Sequence, residues 1–237
     1  MKILQPPQLD EPSPCPYLPG RLKRYEFFLA GDVDGNEVVE LLAAGWRKFG
    51  VYYFRPACPG CRSCIPVRVR TAPFVPSRSQ RRVLRKNTDL RVVFGPLRIT
   101  ERAFAIWREH SLRRFGDEVE PEEFLCNFYL PSCPCLQSEI YREEELVGIG
   151  LLDRGSDCLS SVYFCFDPLH ASRNLGTFSI LQEIAQARTL GLDYYYLGYF
   201  VPGSSRMAYK DHFRPREYFD WETRNWIPVS GPPARQN

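Results

Sequence analysis

The amino-acid sequence predicts an α+β protein in which a mixed sheet is flanked by helices, preceded by a smaller N-terminal lobe that contains cysteines. The second half follows the order strand, hairpin, strand, long helix, strand, which favours a mixed sheet. The first 25 residues carry prolines at positions 6, 7, 12, 14, 16 and 19, so they can form neither a regular helix nor a central strand. We predict the lobe over residues 1–80 and the sheet domain over residues 81–237.

Short elements are predicted in the first part of the chain. Asn36 is suited to cap a helix over residues 36–44, which Gly45 ends. Aromatic and β-branched residues predict a strand over 51–54, and alternating apolar and basic residues predict another over 65–70.

Longer elements are predicted after residue 90. They are a strand over 90–94, a helix over 101–115 that Gly116 ends, a helix from Pro121 towards Leu130, a hairpin of strands 146–152 and 159–166, a helix over 177–190 and a strand over 194–200.

Composition and charge exclude several classes of protein. The chain has 31 basic and 28 acidic residues, a net charge of +3, so it does not bind nucleic acid by overall charge. No apolar run approaches the roughly 20 residues that span a bilayer. Nine cysteines, an odd number, and a start without a signal sequence indicate thiols in a reducing cytoplasm. We therefore expect a soluble cytoplasmic protein with neither a membrane nor a DNA partner.

One cysteine motif has metal-ligand spacing. Cys58, Cys61 and Cys64 follow a C-x-x-C-x-x-C pattern that can converge on one zinc ion or iron–sulfur cluster, and Cys15 is the candidate fourth ligand. The alternative is a set of reduced cysteines in a turn. The other five cysteines are expected to be structural or incidental.

A basic segment departs from the near-neutral total. Residues 78–91 carry six basic side chains against Asp89, a local net charge of +5. Such a segment can engage phosphates. The alternative is a solvated face paired with the acidic stretch 117–123.

Two further segments have binding chemistry. The turn from Arg173 to Gly176 precedes the predicted helix and offers backbone amides to an anion. The strand that contains Tyr199 continues into a segment with Arg206, Lys210 and Arg214, where aromatic rings can stack on bases and cations can approach phosphate or carboxylate.

Several ordered motifs resemble one enzyme family. They are residues 15–21 (CPYLPGR), 53–69 (YFRPACPGCRSCIPVRV), 76–82 (PSRSQRR), 159–168 (LSSVYFCFDP), 196–199 (YLGY) and 205–210 (SRMAYK). In this order they are similar to motifs of the bacterial branch of the arginyl-tRNA-protein transferase family, over roughly residues 14–216.

The resemblance implies a reaction and a fold. Members of the bacterial branch move leucine from aminoacyl-tRNA to the N-terminal amine of proteins that begin with Asp or Glu, which marks those proteins for N-degron degradation. The C-terminal half would resemble the GNAT-type acyltransferase fold. The family implies no cofactor for the chemistry, but its eukaryotic members hold an iron–sulfur cluster or zinc at N-terminal cysteines.

Site residues are predicted within these segments. We predict that strand 159–166 and the turn 173–177 form the acyl-transfer groove, with Asp167, Tyr163 and Lys210 as catalytic residues. Asp167 would orient the attacking ammonium, and Arg78 and Lys210 would pair with the acceptor's carboxylate. The predicted substrate-binding set is Arg78, Arg81, Arg82, Arg85, Lys86, Arg173, Gly176, Tyr199, Arg206 and Arg214, and the predicted metal ligands are Cys15, Cys58, Cys61 and Cys64.

Three alternatives stay open at this point. The transferred residue can be arginine instead of leucine. A coenzyme-A-dependent N-acetyltransferase is the second, although Phe178 stands where its R-x-x-G-x-G/A turn needs a small residue. The third is an RNA-binding protein with a cysteine cluster and no catalysis.

Overall fold

The structure is a computed structural model that describes residues 1–116, 118–204 and 206–231. Asp117 of the acidic stretch and Ser205 of the 205–210 motif lie outside the described residues. Secondary structure consists of two main sheets, one short strand pair and helices on both faces of the larger sheet.

The smaller sheet is antiparallel and formed by the N-terminal region. Its strands lie in the order β1 (Lys2–Leu9), β4 (Tyr25–Gly31), β6 (Tyr52–Pro56) and β5 (Arg47–Phe49). The proline-rich start forms the edge strand β1, which agrees with its predicted exclusion from central positions. A short pair, β2 (Ser13–Pro14) and β3 (Leu22–Lys23), lies between them in the chain. Helix α1 (Gly35–Ala43) begins with a capping box formed by Asp34 and Glu37.

The larger sheet has eight strands and contains one parallel pair. The strand order is β14 (Trp226–Val229), β13 (Arg216–Phe219), β7 (Ile65–Arg70), β12 (Tyr194–Phe200), β11 (Cys158–Phe166), β10 (Glu145–Arg154), β9 (Cys135–Arg142) and β8 (Leu90–Gly95). Only β11 and β12 run parallel among these neighbours. The sheet is therefore mixed, as predicted.

Helices cover both faces of this sheet. Helix α5 (Leu175–Thr189) packs Ile180, Leu181 and Ile184 on one face, and α3 (Glu101–Phe115) packs Ile106 and Trp107 on the other. Consecutive residues of β10 divide between these cores, because side chains alternate along a strand. The remaining helices are α2 (Arg78–Lys86), α4 (Pro121–Phe124) and a π-helical turn, Leu125–Tyr129.

Three strands extend the sheet beyond the sequence prediction. β9 was not predicted because its central residues, Gln137, Ser138 and Glu139, are polar although they are buried. β13 and β14 extend the edge with a C-terminal segment that gave no sequence signal. The division predicted at residue 80 passes through one sheet, because β7 pairs with β12 and β13.

No helix in the described part of the chain combines the length and the apolar character needed to cross a membrane.

Candidate active site

The parallel pair β11/β12 separates in the middle of the larger sheet. Pairing ends at Ser160 and Tyr196, although β11 continues to Phe166 and β12 to Phe200. Each strand has a bulge beyond that point, at Val162 and at Leu197 respectively. We call this opening the fork. Bulges bend strands and re-aim their backbone groups, so the fork offers strand edges to an extended ligand.

Lys210 lies directly over one arm of the fork. It belongs to the 3-10 turn Ala208–His212, and a Cβ placed on Gly198 would be 3.0 Å from its Nζ. Gly198 has φ +89°, a left-handed conformation that the bulge requires and that glycine adopts without strain. Glycine at this position therefore both shapes β12 and leaves room for the ammonium.

Positive charge is concentrated around this lysine. Burial, followed by repulsion from Arg47 and Arg114, lowers the pKa of Lys210 to about 7. Among residues 1–116, 118–204 and 206–231, no carboxylate lies within 4.0 Å of the Lys210 ammonium. An anion that enters the fork would meet a site without a resident counter-ion.

Arg47 is a residue that sequence reasoning missed. It begins β5, and its Nη1 donates a 2.8 Å hydrogen bond to Oγ of Ser160, the last paired residue of β11. The smaller sheet thus places a cation at the closed end of the fork, which is the point where pairing between β11 and β12 stops. A single arginine in a W-R-K-F-G segment carried no pattern that could identify it.

Two of the predicted catalytic residues lie along β11. Tyr163 follows the bulge, and burial raises its pKa to about 12. The Asp167 carboxylate accepts hydrogen bonds from Leu169 N at 2.9 Å and from Arg102 Nη2 at 2.5 Å. Asp167 lies six positions after Ser161 along an extended strand, a distance of about 20 Å. The structure therefore brings Lys210 to the fork and holds Asp167 at the far end of β11.

The predicted basic segment forms helix α2. Ser77 and Gln80 form its capping box, and Gln80 is anchored to His212 O at 3.2 Å. Within the described chain, including 118–123 of the acidic stretch, no carboxylate pairs with its basic side chains. Its exposed basic residues are Arg78, Arg81, Arg82, Arg85 and Lys86.

The C-terminal end of α2 is joined to the turn before α5. Lys86 Nζ donates to Ser172 O at 2.6 Å, and Arg173 makes two 2.9 Å hydrogen bonds to Asp89. Asn174, which begins α5, provides no side-chain cap, and open space surrounds Gly176. Arg173 thus acts as a tether, while the basic face and the uncapped helix start form one continuous surface.

The other predicted binding residues have separate positions. The Tyr199 hydroxyl donates to Gly45 O at 2.9 Å, which ties β12 to the turn between α1 and β5. Arg206 lies 5.7 Å from the Phe115 ring at the end of α3, and Arg214 is exposed at 3.9 Å from Asp211.

The four predicted metal ligands, Cys15, Cys58, Cys61 and Cys64, are neighbours in the structure. Burial, together with the thiols of Cys58, Cys15 and Cys61, raises the pKa of Cys64 to about 12. Cys58 exchanges hydrogen bonds with the backbone of Arg24.

A different cysteine cluster is tighter. In the described ranges, Cys133, Cys135 and Asp153 are the one group of three such ligand atoms that all lie within 4.8 Å of one another. The Lys48 ammonium supplies the positive charge at this cluster, since its Nζ lies 2.9 Å from Asp153 Oδ1.

Comparison with known proteins gives matches along most of the chain. The model for the N terminus of arginine-tRNA-protein transferase matches residues 13–82, and the model for its C terminus matches residues 103–220. An aspartate/glutamate leucyltransferase from Gluconacetobacter diazotrophicus is 37% identical over 87% of this chain and 82% of its own length. Another, from Methylobacterium nodulans, is 38% identical over 88% of this chain and 91% of its own length.

A solved structure shares the fold. It is the C-terminal domain (DUF2156) of a protein assigned as a lysylphosphatidylglycerol synthetase from Agrobacterium fabrum, with a TM-score of 0.51 and 13% identity. The match covers 71% of this chain and 59% of that one, and at this identity it concerns the fold alone. The resemblance predicted from the motifs is confirmed by the sequence matches, and the chain belongs to the arginine-tRNA-protein transferase family.

Proposed function

We propose that this chain transfers leucine from leucyl-tRNA to the N-terminal amine of proteins that begin with Asp or Glu, as the name of its relatives describes. The observation that carries the proposal is the fork, where the Lys210 ammonium lies beside Gly198 of β12 and has no carboxylate partner among the described residues. The unpaired strand edges of the fork can hold an extended acyl donor by backbone hydrogen bonds. A product with an N-terminal leucine would be the signal for N-degron degradation.

The chemistry makes modest demands on the protein. An ester is converted into an amide, and an α-amine with a pKa of about 7.7–8.0 is already partly neutral near pH 7. Positioning of the amine against the ester carbonyl supplies most of the acceleration, and backbone N–H groups of β11 can stabilise the oxyanion. Beyond Ser160, β11 is no longer paired with β12, and its backbone N–H groups on that side are suited to this role.

The two substrates approach from different directions in this proposal. The basic face of α2 and the start of α5 hold the acceptor end of the tRNA through its phosphates. Lys210 attracts the acidic side chain of the protein acceptor. Asp167 as the group that orients the ammonium stays a prediction, and Arg102 already pairs with its carboxylate. Because aminoacyl-tRNA is a cytoplasmic donor, the reaction is placed in the cytoplasm.

The chemistry requires no cofactor in this proposal. An iron–sulfur cluster or zinc at Cys15, Cys58, Cys61 and Cys64 stays a prediction from the motif. In the described structure no three of these sulfur atoms lie within 4.8 Å of one another, whereas thiolates about 2.3 Å from one zinc ion would be closer. Metal analysis of freshly purified protein tests the motif.

One assay tests the function against its alternatives. Purified protein is incubated with labelled leucyl-tRNA and a peptide that begins with Glu, then with arginyl-tRNA or acetyl-coenzyme A as donor. We expect label on the peptide only from leucyl-tRNA. Label from arginyl-tRNA alone would identify the other donor, and binding of tRNA without transfer would identify an RNA-binding protein.

A further inference from the structure

Arg47 has hydrogen-bonding capacity that the described protein does not use. Its Nη1 is bonded to Ser160, but Nε and Nη2 are buried and have no hydrogen-bond partner within residues 1–116, 118–204 and 206–231. Burying a polar group without a hydrogen-bond partner is unfavourable. Nε and Nη2 of Arg47 are therefore free to donate to a ligand.

The unused atoms have a defined shape. Nε and Nη2 lie on one edge of the guanidinium, so their two N–H groups run parallel and match the two oxygens of a carboxylate. The guanidinium lies 5.5 Å from the Tyr196 ring and 5.9 Å from the Tyr199 ring, which hold it beside β12. The free edge is therefore fixed in orientation.

The surroundings favour an anion of limited size. Arg47 and Lys210 are close enough for each charge to affect the fork, and burial lowers the pKa of both groups. The charge of Asp153 acts on Arg47, but this carboxylate is already paired with Lys48 at 2.9 Å. Because both free nitrogen atoms are buried at the closed end of the fork, a planar carboxylate on a short side chain fits there better than a phosphate of the tRNA backbone.

We infer that Arg47 determines acceptor specificity, binding the side-chain carboxylate of an N-terminal Asp or Glu through Nε and Nη2, with Lys210 as the second cation. This inference rests on the proposed function and adds a residue of the smaller sheet to it. In this role, the packing of β5 on β11 places the Arg47 guanidinium beside the N-terminal residue of the acceptor. No covalent step involves Arg47.

The test compares substrates that differ in charge alone. We measure kcat/KM for peptides that begin with Glu or Gln at saturating leucyl-tRNA, using the wild-type protein, Arg47→Met and Arg47→Lys. In Arg47→Met we expect the Glu/Gln ratio to fall roughly 10-fold or more, because the unpaired acceptor carboxylate is no longer favoured. We expect the KM for leucyl-tRNA to stay unchanged and Arg47→Lys to recover part of the ratio.

A matched control separates specificity from structure. Arg55 lies on β6 of the same sheet, but its Nε is already paired with Glu26 at 2.7 Å, so Arg55→Met should keep the wild-type ratio. The inference would be overturned if Arg47→Met lowered kcat/KM equally for the Glu and Gln peptides. It would also be overturned if Arg47→Met and Arg47→Lys both kept the wild-type preference for Glu. Either result would assign Arg47 a role in packing only. Absence of transfer by the wild-type protein would instead contradict the proposed function itself.

Discussion

At the residue scale, the ionisation of Lys210 is coupled to what it binds. Its pKa of about 7 means that the ammonium is protonated below pH 7 and loses its charge above it. The acceptor's α-amine behaves in the opposite sense, because its neutral form reacts and its pKa is about 7.7–8.0. Attraction of the acceptor and reactivity of its amine therefore have opposite pH dependences.

We predict a bell-shaped pH profile of kcat/KM for a peptide that begins with Glu. The ascending limb comes from the amine and the descending limb from Lys210, since kcat/KM reports the ionisation of free enzyme and free substrate. Lys210→Arg keeps its charge and should lose the descending limb. Initial rates between pH 6 and 9 measure this, and an unaltered descending limb in Lys210→Arg would assign it to another group.

A second residue-scale prediction concerns the glycine beneath this lysine. Gly198→Ala adds a Cβ 3.0 Å from Lys210 Nζ in a left-handed backbone, so it should raise the KM for the Glu peptide about 10-fold. Gly203→Ala is the matched control, because Gly203 also has a positive φ, +83°, but its Cβ would meet only Leu18 at 3.9 Å. Equal effects of the two variants on KM would show that backbone strain alone is responsible.

The sequence predicted Lys210 and missed Arg47 for different physical reasons. Lys210 lies in a motif dense in aromatic and cationic residues, so its chemistry is visible without coordinates. Arg47 acquires its role from the packing of β5 against β11, a contact across 113 positions of the chain. Orientation of a side chain by a distant strand leaves no local signal.

At the element scale, helix α2 is where tRNA binding should be sensitive to salt. Replacing Arg81, Arg82 and Arg85 with Gln removes three exposed charges, and each lost phosphate contact should reduce the slope of log K against log salt by about 0.7–0.9. We expect weaker binding of leucyl-tRNA with an unchanged Glu/Gln ratio. Filter binding of leucyl-tRNA at salt concentrations between about 50 and 200 mM measures this slope.

Three exposed arginines on other elements provide the control. Replacing Arg108, Arg188 and Arg224 with Gln also removes three positive charges, but from α3, α5 and the C-terminal loop. If this triple variant reduces the slope as much as the α2 variant, binding follows total charge and α2 is not the interface.

Elements were predictable where periodicity matches burial. The helix over residues 101–115 and the strand over 194–200 were predicted with the bounds that the structure has, because their apolar and aromatic patterns are clear and Gly116 ends the helix. β9 was missed because tertiary partners compensate its buried polar residues. For example, Gln137 donates to Arg98 O at 3.0 Å and Glu139 accepts from Arg98. Such pairing exists only in the folded state.

At the scale of the whole molecule, the site requires both sheets. β5 belongs to the smaller sheet but packs on β11 of the larger one. In addition, Tyr199 of the larger sheet donates a hydrogen bond to Gly45 O, in the turn that precedes β5. The sequence indicated a separate N-terminal lobe, because prolines and cysteines dominate its composition. Composition does not show which strand lies against which sheet, so the shared site was not predictable from it.

A buried ion pair crosses this junction. Lys48 Nζ of β5 lies 2.9 Å from Asp153 Oδ1 of β10, and both side chains are less than a tenth exposed. The thiols of Cys133 and Cys135 donate to the same carboxylate oxygen, at 3.4 and 3.6 Å. A charge in such a place is tolerated only with its partner.

We therefore predict that Lys48→Met lowers the free energy of unfolding by about 3–5 kcal/mol, because it leaves the Asp153 carboxylate buried and unpaired. The double variant Lys48→Met/Asp153→Leu should recover most of that loss, since replacing both partners by apolar groups removes the uncompensated charge. Denaturation in guanidinium chloride measures the cycle. Arg55→Met breaks a more exposed pair with Glu26 and should cost only about 0–1 kcal/mol. A double variant as unstable as Lys48→Met would show that the junction depends on packing of the lysine chain, and that its charge contributes little.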